Sequence, residues 1–589
     1  MNLSLLMAAT VAHWAVEPIS TIQRLPDAVP ADGEKGGVVR IVAAQDEYEP
    51  GSFVVRSDED LGKVTLELGE FKRDQGSGIG DQESVVFPKE NLDLKVIKCW
   101  YQNKNAWFSY FGDTGGFKLV PELLLNDEDL IRTDDEKRAN YARLVEADGR
   151  VHERWLNPPR QIDRRTVKDR SSRRNSFQFM RPNFRDAKTL QPVTLAKDVS
   201  RQFFLTAHVA KGTKPGVYRG EIVLRASCSV TRDAQGTKHE AQGTEIARIP
   251  VTITVLDFEL PQPRAYQQPD KDFLVSFYAY HRLEEIMAYN GYDYELALRQ
   301  KRAIIENEVK HNHMVQFMSS GLCEESRLTY EMMKELGQRT DVFIGGVTAR
   351  PEKDLELPKI RAAAATRLFG HRNMYMTYGD EPGIEFLRGA RPVYARYQDW
   401  GFRSFIAGSE TCWNRAGHVY DWFNMNQPPT STKWPDRWNK LGDNNLAWYA
   451  KHHVGTEDPD LNRRESGLGA WLAGYTALCN YAHHLGPYND DTITYRPMVL
   501  AYGTSDGVID TLQWEGFREG IDDIRYGTVL TALAREAAHD TRREVKYLGR
   551  PALKCLADFD RDAGVLSACR AEMIRHIGIL RGLLGKEAK

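Results

Sequence analysis

Between residues 270 and 485 the chain alternates short apolar runs with helical stretches, and this rhythm limits the fold more than any other feature. Eight runs occur: FLVSFYAY (273–280), MVQFM (314–318), VFIGGV (342–347), MYMTY (374–378), RSFIA (403–407), VYDWFNM (419–425), LAWYA (446–450) and TALCNYA (476–482). Parallel strands read as continuous apolar runs because crossover helices cover both faces of their sheet. The intervening stretches carry helix signals. LALRQKRAIIENEVKHN places Leu298, Ile305 and Val309 on one face; PKIRAAAATRLFG opens with Pro358; IEFLRGARPVYARYQDWG closes at Gly401. Eight runs alternating with helices predict a (β/α)8 barrel of the TIM type.

The segment before the barrel reads as strands. VVRIVAAQDEYEPGSFVVRS, KVTLELGEF, DLKVIKCWY, RQFFLTAHVA, GEIVLRAS and IPVTITVLDFEL are rich in β-branched and aromatic residues and are separated by turn residues. Short strands of this kind predict a β-sandwich. The Pro-rich LPQPRAYQQP (260–269) reads as the linker into the barrel. The expected fold class is multidomain: an N-terminal β-sandwich-like domain over 24–262 with a long insertion at 102–197, a barrel over 263–525 and a C-terminal helical segment over 526–589. In that last region, GFREGIDDIRYGTVLTALAREA and LSACRAEMIRHIGILRGLL pair apolar stripes with charges expected on a solvated face. Residues 1–23 resemble a signal peptide without its charged n-region, which leaves export and cytoplasmic retention open, with a periplasmic or secreted place favoured.

A net charge of −3 on 589 residues gives no reason to expect nucleic acid as partner. No apolar run is long enough for a transmembrane helix. The 7 cysteines form no CxxC pair, and the histidine pairs 311/313, 452/453 and 483/484 are not spaced for one helix face, so no metal site is expected. The segment 150–185 is basic; it reads as a solvated loop pairing with the acidic NDEDLIRTDDE, or as a patch for an anionic ligand such as a sulfated glycan.

The fourth run ends in GDEPG, so Asp380 and Glu381 fall at the C-terminal end of a barrel strand, the face that carries chemistry in such barrels. Pro382 is expected to hold Glu381 extended, and Gly383 to let the chain turn away. Two adjacent carboxylates raise the pKa of one of them, and a protonated acid beside an ionised one suits acid catalysis. Asp, Pro and Gly also favour turns on their own account, so the tetrapeptide alone is weak evidence. Tyr378, Trp413, Trp422, Trp448, Tyr449 and Tyr481 fall at or just beyond the expected strand ends. Their faces and polar tips suit a saccharide, although each could equally pack in the barrel mouth. His483 follows the eighth run and is a further candidate for substrate contact, with a structural role as the plainer alternative.

Three stretches resemble glycoside hydrolase family 123: YGDEPG at 378–383, NRRESGLGAWLAGYTALCNYAHH at 462–484 and DGVIDTLQWEGFREGIDDIRYGTVL at 506–530. AAQDEYEPGSFVV is similar to the family's opening β-domain. The resemblance implies a retaining β-N-acetylgalactosaminidase acting on a glycan or glycoconjugate through its own 2-acetamido group, without metal or cofactor. It implies that Asp380 orients and polarises the acetamido group, while Glu381 protonates the leaving oxygen and then activates water. Substrate-assisted enzymes are exempt from the usual spacing of two carboxylates. Two departures stand out: Tyr481 occupies a position where many relatives carry Trp, and the insertion is long and basic. Two alternatives stay open. One is a glycosidase with a conventional nucleophile, for which Glu410 is the candidate; the other is a non-catalytic glycan-binding barrel.

Overall fold

The computed structural model describes residues 10–74, 85–103, 117–145, 148–156, 184–226, 231–232, 238–239, 243–279, 281–289, 293–345, 356–409, 412, 420–425, 433–438, 444–448, 458–483, 499–561 and 563–586. Two sheets form the N-terminal region. One has six strands in the order Glu34–Lys35, Val11–Val16, Glu47–Ser57, Arg201–Val209, Leu92–Asn103, Phe117–Leu125. The other follows the path Val193–Thr194, Lys63–Leu68, Gly216–Ala226, Thr244–Glu259, Val39–Gln45. Period-two burial explains why they pack. In Thr244–Glu259 the side chains of Ile249, Val251, Ile253 and Val255 are buried and alternate with more exposed residues. They share one apolar core with Phe53, Val55, Phe203 and Leu205 of the six-stranded sheet.

The first strand of that sheet, Val11–Val16, lies inside the stretch read as a signal peptide and pairs antiparallel with Glu47–Ser57. Phe117–Leu125 lies inside the expected insertion, yet pairs with Leu92–Asn103 and so extends the same sheet. Ile131–Asp134, Ala139–Val145 and Val151–Trp155 make a separate three-stranded sheet. Most of the basic segment, 157–183, lies outside the described residues.

Each of the eight apolar runs coincides with or overlaps a strand, and the eight form one parallel sheet. In chain order they are Leu274–Ala279, Phe317–Met318, Phe343–Gly345, Met374–Asp380, Arg403–Gly408, Trp422–Met425, Asn445–Trp448 and Ala477–His483. The first pairs with the eighth. The first and second meet through a Ser276–Val315 bridge, where the Met314 and Val315 N–H groups donate to the Val275 carbonyl at 3.0 and 2.9 Å. The sheet is therefore nearly closed, with helices such as Tyr294–Lys310, Glu324–Glu335, Leu357–Phe369 and Ile384–Asp399 between its strands.

Two expectations about helix faces are corrected. In Tyr294–Lys310 Ile305 is buried as expected, but the buried side also includes Ala297, Lys301, Ile304 and Glu308, whereas Leu298 and Val309 are half-buried. Polar groups thus turn inward on the predicted amphipathic helix. The second correction concerns Leu512–His539, a single helix that runs across residue 525. The charges of its first half are not solvated: Arg518, Glu519, Asp522, Asp523 and Arg525 are all buried, while Glu536 in its second half is exposed.

Burial of a charge costs several kcal/mol unless it is paired and hydrogen-bonded, and here the pairing is dense. Arg463 grips Asp523 with two bonds of 2.8 and 3.0 Å. Arg570, from the helix Leu566–Leu583, donates to Asp523, Glu519 and Glu49 at 2.6, 2.6 and 2.7 Å. Burial would raise Asp523, but Arg463 and Arg570 outweigh it and hold the carboxyl below 3.8. Glycines allow the close approach: a Cβ on Gly516 would stand 2.3 Å from the Pro459 carbonyl oxygen, and one on Gly520 would stand 2.5 Å from that of Arg463.

Glu47 behaves in the opposite way to Asp523. It is fully buried on the strand Glu47–Ser57, and its Oε2 accepts from Tyr526 Oη at 2.6 Å and the Ala44 N–H at 2.7 Å. Burial, reinforced by the Asp522 charge, pushes it up to about 8. The folded chain thus keeps a proton that the unfolded chain loses above 4.5, so Glu47 makes stability fall as pH rises from 4.5 to about 8. Glu47→Gln is expected to fold and to flatten that decline. Urea midpoints at the two ends of the window check this, and an unchanged slope refutes it.

Candidate active site

The end of the fourth strand departs from a regular ladder. Met374, Tyr375, Met376 and Thr377 are buried, and Thr377 pairs with Phe405. The register then slips, so that Asp380 pairs with Ala407. Three steps along one strand meet two along its neighbour, which is a β-bulge. Gly379 at the bulge has φ 81°, a left-handed conformation open to glycine, and a Cβ there would stand 2.4 Å from the ring of Phe386.

Glu381 corrects the expectation of an extended residue before Pro382. Its φ is 42°, in the left-handed region, and its N–H donates to the Ala407 carbonyl at 3.1 Å. The bulge shifts the ladder by one residue, and the bond to Ala407 holds the new register against the local preference imposed by proline. Non-glycine residues in this region cost of order 1–3 kcal/mol and are retained where the surroundings enforce them. The Glu381 side chain is exposed, and Gly383 then opens the helix Ile384–Asp399. Cys412 is buried beside this turn, its Sγ 3.6 Å from the Pro382 carbonyl oxygen. Burial raises its thiol pKa, and the charge of Glu381 adds to that shift.

The other candidates divide. Tyr378 and Asp380 belong to the fourth strand, but their side chains lie outside the described residues, as do Glu410, Trp413 and Tyr449 entirely. Trp448 ends the seventh strand and is 2% exposed. Trp422 begins the sixth strand rather than ending it, and packs edge-on against Tyr375 at 5.1 Å, so it belongs to the core and not to a strand's C-terminal end.

Tyr481 is half-buried in the eighth strand, 5.5 Å from the ring of Tyr278. Tyr278 itself lies close to Phe317 and Phe405 and accepts from Asn424 Nδ2 at 3.4 Å. Those partners come from the second, fifth and sixth strands, so Tyr278 projects into the interior of the sheet and Tyr481 meets it there. Tyr278 and Asn424 were missed from the sequence. The available signal was a polar atom recurring at alternate positions, Ser276 and Tyr278, within an otherwise apolar first strand.

His483 does not join this group. The pairing of first and eighth strands slips between Phe277–Asn480 and Ala279–His483. The ring of His483 lies 4.9 Å from that of Trp514 on the helix Leu512–His539, and its exposure is 0%. It therefore lies behind the sheet, against the helices.

No protein-family model and no curated protein sequence matches the chain. Among solved structures, a family 123 glycoside hydrolase from Clostridium perfringens is similar over 98% of this chain and 98% of its own, with a TM-score of 0.57 and 10% identity. At that identity the likeness is one of fold. A β-glucuronidase from Ruminococcus gnavus in complex with D-glucuronic acid covers 78% of this chain and 98% of its own, at 9% identity and a TM-score of 0.28, too low to support any conclusion.

The bulge yields a direct test. Gly379→Ala is expected to cost roughly 1–3 kcal/mol through its positive φ and the clash with Phe386. Phe386→Ala should relieve only the clash, giving a coupling of about 1 kcal/mol in a double-mutant cycle read by chemical denaturation. Strict additivity would show that Phe386 does not enforce glycine at this position.

Proposed function

We propose that the chain is a glycoside hydrolase that cleaves a β-N-acetylhexosaminide, most simply a β-N-acetylgalactosaminide, with retention and with help from the substrate. The observation that carries this reading is the bulged end of the fourth strand. On a regular strand, consecutive side chains point to opposite faces, so adjacent carboxylates could not serve one substrate. The bulge at Gly379 and the left-handed φ of Glu381 break that alternation where the two carboxylate residues stand. The shared fold with the clostridial family 123 hydrolase, described in terms of glycolipid glycan hydrolysis, supports the same class.

In this reading Asp380 holds and polarises the N–H of the 2-acetamido group, so that its carbonyl oxygen attacks the anomeric carbon. The glycosidic bond breaks as Glu381 gives its proton to the leaving oxygen, leaving an oxazolinium-type intermediate. Glu381, now a carboxylate, takes a proton from water as that water opens the intermediate at the anomeric carbon. Tyr378, Trp413, Tyr449 and Tyr481 are proposed to stack on or bond the sugar, whereas Trp448, buried in the core, is not.

Glu381→Gln is expected to lower kcat by roughly 10²–10⁴-fold, because it removes the acid/base proton. The exposed position of Glu381 should leave folding unaltered in circular dichroism. Retained turnover sinks the assignment. Asp380→Asn should weaken binding of a thiazoline analogue of the oxazoline, measured by calorimetry. If the wild-type chain never binds that analogue but hydrolyses aryl β-glycosides lacking the acetamido group, a conventional nucleophile such as Glu410 replaces substrate assistance. If it binds glycans and turns none over, the barrel is a binding protein.

A further inference from the structure

We propose that His281, Glu308 and His483 form a binding site for a divalent transition-metal ion of the zinc class, at the seam where the parallel sheet closes. His281 lies two residues beyond the first strand, His483 ends the eighth, and Glu308 comes from the helix Tyr294–Lys310 behind them. His281 Nε2 is 2.9 Å from His483 Nδ1. Glu308 Oε1 is 3.6 Å from His483 Nδ1 and 3.9 Å from His281 Nε2. Ligands on a tetrahedral zinc at bond lengths of ~2.0–2.1 Å are separated by about 3.3 Å, and the three observed separations bracket that value. Two neutral imidazoles and one carboxylate are also a ligand set that zinc accepts.

The need for a cation follows from what the cluster lacks. Glu308 and His483 are 0% exposed. Neither Glu308 oxygen has a hydrogen-bond donor among the described residues, and His483 Nε2 is likewise unpartnered there. A buried carboxylate without donors is strongly disfavoured unless something positive stands beside it. One of the two rings now donates across the 2.9 Å contact; on metal binding that proton moves to the ring's other nitrogen.

The surroundings would fix the ligands in place. Lys301 Nζ donates to the His281 carbonyl and to Glu325, both at 2.9 Å, which holds the loop after the first strand. Trp514 and Phe277 wall the His483 ring at 4.9 and 6.0 Å. The ion would thus clamp the ends of the first and eighth strands to the helix behind them, a structural role distinct from the carboxylates of the fourth strand. The competing account is a proton on His313, whose Nδ1 stands 3.3 Å from Glu308 Oε2 and whose Nε2 lies 3.0 Å from the Val315 carbonyl oxygen.

The full chain, stripped with chelator and titrated with Co²⁺, decides between them. The expected result is a saturable tetrahedral d–d absorption at one equivalent per chain, displaced by Zn²⁺, with a higher melting temperature in the metal-bound state. His281→Ala, which alters the least buried ligand, should weaken Co²⁺ binding by at least about 100-fold, since losing even a supporting partner costs 10–100-fold. If that variant does not fold, the wild-type spectrum and thermal shift still give the answer. No saturable band and no thermal shift with Zn²⁺ overturn the site and leave the His313–Glu308 proton. A band that persists in folded His281→Ala overturns it as adventitious binding.

Discussion

The buried ion network around Asp523 is the constraint on which the rest of the molecule hangs. Asp523 and Glu519 on the helix Leu512–His539 are gripped by Arg463 and Arg570, and Arg570 also reaches Glu49 on a strand of the N-terminal six-stranded sheet. One cluster of charges therefore ties together the segment before the eighth strand, the C-terminal helices and the first β-region. A network of this kind is sensitive to position, because each member left without its partner would be a bare charge away from water. It makes the joining of these elements specific in a way that apolar contact alone does not.

The carboxylate pair of the fourth strand sits on a frame built by quite different means. Its geometry comes from backbone: a bulge, a glycine under Phe386 and a left-handed glutamate pinned to the Ala407 carbonyl. The apolar strands around it supply the rigidity that can hold such a conformation. Strain at the rim is tolerable because the sheet beneath it is buried, with all six residues of its first strand inside the core.

Much of this was legible in the chain and some was not, for reasons specific to residues. The eight strands announced themselves because buried parallel strands are apolar along their length. The GDEPG turn announced its position but not its conformation: proline predicts an extended Glu381, and only the slipped register reverses that. The charges of GFREGIDDIRYG looked like a solvated face because helical periodicity cannot tell a charge facing water from a charge facing an arginine sixty residues earlier in the chain, as with Asp523 and Arg463. Glu308 was hidden in the same way, on a helix whose inward face is partly polar.

What the sequence determined by itself is the alternation that builds the parallel sheet, the period-two strands of the N-terminal sheets and the placing of two carboxylates at the close of the fourth run. These depend on local pattern, which a linear chain carries in full. Tertiary structure alone decided which face each charge took, where the fourth strand slipped by one residue, and that His281, Glu308 and His483 meet. Those outcomes depend on contacts between residues far apart in sequence, and on the cost of leaving a buried charge unpaired, neither of which any local pattern records.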